Sequence, residues 1–178
     1  MISFVGMEQS IIEFKARCAD HDRIRGLLKA KGARFVGTDH QVDTYFRTPQ
    51  GRLKLREGEI ENSLVSYLRP NQSGPKQSEV TLSPVPPNSG IKSVLAKALG
   101  VLAVVDKKRE IYFVENVKIH LDDVAGLGRF VEVEAIGKAD EVEKLQAQCD
   151  EFLREFGLQA GQFEAGSYSD LVLARART

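Results

Sequence analysis

Along most of the chain, apolar residues recur at every second position, the period of a strand with one buried face. This alternation predicts strands near residues 10–18, 33–37, 41–48, 52–57, 63–69, 77–83, 102–114, 117–123 and 129–136. Three stretches carry a helical period instead. Near 20–31, Ile24, Leu27 and Leu28 form a stripe that ends at Gly32; near 90–99, Ile91, Val94, Leu95, Ala98 and Leu99 form one that stops at Gly100. The third, near 140–156, runs from an expected N-cap at Asp140 through Val142, Leu145, Cys149, Phe152, Leu153 and Phe156 to Gly157. The proline-rich stretch 83–90 reads as a loop. Many short strands with few helices predict a mainly-β member of the α+β class: an antiparallel barrel or strongly curved sheet with helices packed outside.

The other face of these strands is charged. Arg52, Lys54 and Arg56 share one face of "RLKLREG", and Leu53 and Leu55 share the opposite one. Glu13 and Lys15 oppose Ile12 and Phe14; His120 and Asp122 oppose Ile119 and Leu121; Glu132 and Glu134 oppose Val131 and Val133. Lys107 and Arg109 are in phase in "DKKREIYF", which splits the "KKR" run between two faces, and Arg69 is in phase with Tyr67. On a single strand this pattern is only a polar face in water. Repeated strand after strand, with cations on the middle strands and paired carboxylates on the last, it predicts a sheet closed around a charged lumen. Lys15, Lys54, Arg56, Arg69, Lys107 and Arg109 would there meet a group of carboxylates, a burial of charge that a ligand is expected to balance. Arg and Lys suit phosphate oxygens. Carboxylates without neighbouring thiols suit Mg²⁺ or Mn²⁺. A polyphosphate with a divalent ion satisfies both, and a barrel of about eight strands has room for one.

Bulk composition narrows the partners. With 42% hydrophobic and 28% charged residues, the chain reads as one soluble domain over 1–178, patterned over about 10–173. Lys plus Arg equals Asp plus Glu at 25 each, so no exposed basic strip is expected and a nucleic-acid partner is disfavoured. No run approaches roughly 18 apolar residues, and "MISFVGMEQS" lacks a basic leader, which points to a cytoplasmic protein with no membrane partner. Met7 is a second candidate start. Cys18 and Cys149 match no ligand spacing and read as half-buried thiols in a reducing compartment. His21 and His40 read as surface residues, Asp123 as outward-facing, and Gly126 and Gly128 as a turn between strands.

The blocks "IIEFKAR", "RLKLRE", "KKREIYFV", "IHLDDVAGLGRFVEVE" and "SYSDLV", in this order, resemble the CYTH superfamily, the triphosphate tunnel metalloenzymes. The likeness is greatest to the class IV adenylate cyclase branch. It implies a closed antiparallel tunnel in which lumen Lys and Arg bind a triphosphate and carboxylates hold Mg²⁺ or Mn²⁺. Carried over by position, it implies Glu13, Glu132 and Glu134 as metal ligands with Asp122 near the metal. Lys15, Lys54, Arg56, Arg69, Lys76, Lys107 and Arg109 would bind phosphate, and Lys15, Arg56, Arg109 and Asp122 would be the catalytic candidates. Glu79 joins Lys76 as a further lumen candidate in "GPKQSEV". One position departs from the family's ExExK signature: Ile11 stands where its first Glu would be. One metal site on Glu13, Glu132 and Glu134 is still expected, and whether a second ion binds stays open.

Three functions compete. The first is cyclisation of ATP to cyclic AMP and pyrophosphate, with hydrolysis of tripolyphosphate, thiamine triphosphate or a nucleoside triphosphate as its alternative. The second is non-catalytic binding of nucleotide or polyphosphate, which Ile11 keeps open. The third is a nucleic-acid-binding barrel, against which the zero net charge weighs. His120 is either a hydrogen-bonding lumen residue or a general base. A homodimer stays open.

Overall fold

The computed structural model describes residues 7–177; the reading of the first six residues lies outside them. Eight antiparallel strands run as β1 (Met7–Arg17), β2 (Arg34–Phe46), β3 (Arg52–Glu57), β4 (Ser63–Leu68), β5 (Lys76–Pro84), β6 (Val101–Val114), β7 (Val117–Val124) and β8 (Gly128–Gly137). Four helices accompany them: α1 (His21–Ala30), α2 (Ile91–Leu99), α3 (Val142–Glu155) and α4 (Tyr168–Arg175). In space the strands follow the order β1-β5-β4-β3-β2-β6-β7-β8, and β1 pairs with β8 as well as β5, so the sheet closes into a ring.

Alternation decides what each face meets. The outward side chains of β1, β7 and β8, among them Ile12, Phe14, Ile119, Leu121, Val131 and Val133, form one buried core with Ile24 and Leu28 of α1 and Leu145, Cys149 and Phe152 of α3. The predicted stripes of α1 and α3 are therefore the faces that cover the ring. The stripe of α2 behaves differently: none of its residues is buried, and Val94 is 65% exposed.

Several expectations need correction. The segments near 33–37 and 41–48 are one strand, because β2 pairs with β6 along most of its length, with register shifts only between Phe35 and Gly37 and between Tyr45 and Phe46. The helix near 140–156 starts from Glu141, and Asp140 belongs to a preceding 3₁₀ turn. His21 is buried, not superficial, because the Cys18 amide bonds the Arg129 carbonyl and leads α1 in against β8, where the His21 ring meets the Phe130 carbonyl at 3.0 Å. Cys18 and Cys149 are buried free thiols. Helix α4 is not among the three helices expected from the sequence. Its Ser167 N-cap and Asp170 form a reciprocal capping box that starts the helix. His40 and Asp123 are exposed, as expected.

Candidate functional site

Strand register sets the site row by row. His120 of β7 pairs with Glu132 of β8, which pairs with Lys15 of β1. In the next row Lys118 pairs with Glu134, and Glu134 with Glu13. One row further along β7 Asp122 pairs with Arg109 of β6, and elsewhere in the ring Asp43 of β2 pairs with Arg56 of β3. All are in phase with the inward face; Glu13, Lys15, Arg56, Arg109, Lys118, Glu132 and Glu134 line a cavity of about 340 Å³, while His120, Asp122 and Asp43 are buried and do not line it.

Glu132 is the centre of one ion cluster. Lys15 Nζ lies 3.4 Å from one oxygen and Arg109 donates to the other at 2.7 Å. Burial alone would raise Glu132, but the Lys15 and Arg109 charges hold it well below the usual carboxylate range. Glu134 has no such pair. Burial and the neighbouring Glu132 charge push it up to about 7, which Lys118 offsets only in part. Between them, His120 is 1% exposed and neither ring nitrogen has a hydrogen-bond partner. Its Nδ1 is 3.5 Å from Glu132 and 3.8 Å from Glu134. Burial, reinforced by Arg109, pulls His120 down to about 3, so the ring is neutral at ordinary pH. The ligand atoms of His120, Glu132 and Glu134 all lie within 4.8 Å of one another. Two carboxylate oxygens and an unused imidazole nitrogen at that spacing fit a divalent ion.

The other expected metal ligands are engaged. Glu13 accepts a bond from Arg69 Nη1. Asp122 is held bidentately by Arg109 at 2.6 Å and also accepts from the Tyr168 hydroxyl at 2.6 Å.

The cations divide into committed and uncommitted. Asp43, which sequence reasoning missed, takes Arg56 bidentately at 2.9 and 3.0 Å, Lys107 at 2.7 Å and Lys54 at 3.2 Å. Burial would raise it, yet these three cations hold it far below its ordinary range. Glu61 adds a second acceptor, bonding Arg56 at 2.9 Å and also Lys118. Glu61 arrives on the loop between β3 and β4, which folds over Asp39: that carboxylate accepts the Glu59, Ile60 and Glu61 amides at 2.7–3.1 Å. Gly58 is required there, since a Cβ would lie 2.5 Å from Asp39. The expected segregation of sign by strand is thus incorrect for the middle strands, and much of the lumen charge is neutralised without a ligand. Asp43 was legible: it stands two positions from both Gln41 and Tyr45 on the inward face of β2.

Arg69 is the cation with donors to spare. Its side chain is 5% exposed, and Nε and Nη2 are buried without a partner while Nη1 holds Glu13. Lys15 stacks over Tyr168 with Nζ 4.0 Å from the ring centre. Lys76 is buried, but its amine bonds the carbonyls of Gln72, Glu164 and Ala165 at 2.8–3.3 Å, and burial lowers it to about 8. Glu79 is excluded from the lumen: it is out of phase with Lys76 and Ser78 and is exposed on the outer face. Arg52 lies nearer the surface, bonded to Asp170 at 2.6 Å and Asn71 at 3.0 Å. Around the rest of the cavity, Ile11, Ile60, Val65, Val80, Leu82 and Ile136 form an apolar wall. The interior is therefore split between a charged part and an apolar part.

Comparison with known proteins places these residues in a wider set. The CYTH domain family matches residues 10–168. "Adenylate cyclase CyaB" of Aeromonas hydrophila is 29% identical over 172 residues, covering 90% of this chain and 87% of the relative. MJ0240 of Methanocaldococcus jannaschii, named as a candidate adenylate cyclase, is 27% identical over 170 residues, covering 90% of this chain and 97% of the relative. Among solved structures, PH1012 of Pyrococcus horikoshii superposes with a TM-score of 0.77 at 26% identity, covering 93% of this chain and 99% of the other. No helix among the described residues is long and apolar enough to cross a membrane.

Proposed function

Since the chain belongs to the CYTH domain family, we propose that it is a divalent-metal-dependent enzyme that turns ATP into cyclic AMP and pyrophosphate inside the ring. The observation that carries this reading is the split interior, in which unpartnered buried donors of Arg69 face the same cavity as the apolar wall around Ile11. Buried guanidinium donors without acceptors suit phosphate oxygens. An apolar wall does nothing for an inorganic polyphosphate, but it favours a triphosphate that carries an organic group. CyaB of Aeromonas hydrophila, named an adenylate cyclase, supports the choice of reaction.

In this reading Arg69, Lys15 and Lys54 hold the triphosphate, with Arg56 supporting them from its Asp43 anchor. Asp122 and Tyr168 fix Arg109, so they position that cation. Glu132 and Glu134 would hold the metal, and Glu13, now bonded to Arg69, would be the further carboxylate available to it. A divalent ion there would supply charge neutralisation on the triphosphate as pyrophosphate departs. The ribose 3′-oxygen bonds to the α-phosphorus, the bond from that phosphorus to the bridging oxygen breaks, and the hydroxyl proton is lost to solvent. The cations face the charge that accumulates on the leaving group.

Hydrolysis is the second reading, since no side chain here is singled out for a ribose. Incubation with ATP, thiamine triphosphate and tripolyphosphate, each with Mg²⁺ or Mn²⁺, followed by chromatography, separates the two. Cyclic AMP and pyrophosphate from ATP are expected. ADP and orthophosphate, or faster breakdown of tripolyphosphate, would replace the cyclase reading with a triphosphatase.

A further inference from the structure

His120 is a buried polar side chain that makes no hydrogen bond. It is 1% exposed, both ring nitrogens lack hydrogen-bond partners, and Nδ1 faces two carboxylates. A buried imidazole left unsatisfied costs free energy that a native fold rarely tolerates without a use. We propose that His120 is a metal ligand, completing with Glu132 and Glu134 a nitrogen-containing site that takes Mn²⁺ or a similar transition-metal ion in preference to Mg²⁺. The inference rests on the metal-and-triphosphate reading above and adds a ligand and a metal preference to it.

Three features support it. First, the ligand atoms of all three residues lie within 4.8 Å of one another, with Nδ1 3.5 Å from Glu132 Oε2 and 3.8 Å from Glu134 Oε1, so modest side-chain shifts bring them onto one ion. Second, register secures the set: His120 and Glu132 are direct cross-strand partners between two neighbouring strands, and Glu134 is the next inward residue of β8. Third, the set offers one imidazole nitrogen beside two carboxylates, a mixed nitrogen and oxygen donor set. Imidazole nitrogen binds transition metals better than Mg²⁺, which prefers an all-oxygen shell.

The test reads the metal directly. Pulsed electron paramagnetic resonance of the full chain with Mn²⁺, alone and with tripolyphosphate, detects nitrogen bound to the ion; calorimetry gives Mn²⁺ and Mg²⁺ affinities. Nitrogen coupling is expected in the wild-type protein and its loss in His120→Gln. The preference for Mn²⁺ over Mg²⁺ should fall by roughly tenfold or more, as for other perturbations of metal shells. Bound Mn²⁺ without nitrogen coupling, or coupling that survives in His120→Gln, overturns this inference and leaves the wider reading standing. Failure to bind Mn²⁺ with or without tripolyphosphate overturns both. The nitrogen signal is read on the unmodified protein, so a variant that failed to fold would not remove the test.

Discussion

Glu132 and Glu134 lie two residues apart on one strand face, yet their surroundings drive them in opposite directions. Lys15 and Arg109 keep Glu132 ionised, while burial and Glu132 itself push Glu134 from 4.5 up to about 7. Glu13 adds to that push, and Lys118 and Arg109 oppose it. A raised folded pKa means that the native state retains a proton the unfolded chain loses. Its stability contribution is complete below pH 4.5 and is lost as pH rises to about 7. Without metal, Glu134→Gln is therefore predicted to stabilise the protein at pH 8, by up to about 3 kcal/mol, and to give no gain at pH 4. Urea melts of the metal-free protein at the two pH values check this; an equal effect at both would contradict it. Turnover should be abolished in this variant. Glu132→Gln should also abolish turnover but destabilise the fold, because it removes the carboxylate that Lys15 pairs with and one of the two that hold Arg109. Arginines differ in the same way. Arg69→Ala, which removes two unused buried donors, should weaken ATP binding by about 1.5–3 kcal/mol. Arg52→Ala, nearer the surface, should cost about 0–1 kcal/mol. Calorimetric titration with ATP and Mn²⁺ measures both, and equal losses would deny the depth difference.

At the scale of elements, β2 shows what the sequence could and could not disclose. Its period gave the strand and its inward phase, but Gly37 interrupted the alternation, so one strand read as two. Asp43 lay on the visible phase; its importance came from partners on β3 and β6, and strand neighbours distant in sequence are not legible from alternation. The same holds for Glu61, whose position depends on a loop wrapped over Asp39. By contrast, Lys15, Arg56, Arg109, Glu132 and Glu134 were legible because alternation alone aims them inward. Glu79 was misread since the start of β5 could not be fixed, and a slip of one residue reverses every face. Helix α4 is too short for a clear period, although Tyr168 packs against the lumen through Asp122, Lys15 and Phe130. Asp43→Asn is predicted to cost about 3–5 kcal/mol of folding stability, because three buried cations lose their common counter-charge. Equilibrium denaturation tests it, and a loss below about 1 kcal/mol would show the hub to be dispensable.

Over the whole molecule, ring closure converts alternating strands into two environments: an outer core under α1 and α3, and an interior divided between charge and an apolar wall. The wall is the feature that favours an organic triphosphate. Ile11→Ser should weaken ATP binding roughly tenfold, given the apolar area lost, and leave tripolyphosphate affinity nearly unchanged. Parallel titrations with the two ligands decide it; equal losses would deny the wall a role in selection. The central claim is that metal and triphosphate meet inside the ring. Its most direct test is a crystal structure with Mn²⁺ and an ATP analogue bearing a methylene bridge between the α and β phosphorus atoms, read in the anomalous difference map. The account predicts a manganese peak at coordinating distance from Glu132 and Glu134, phosphate oxygens on Arg69, and the base against the Ile11 wall. Metal and nucleotide bound outside the ring, with its interior unchanged, would contradict it.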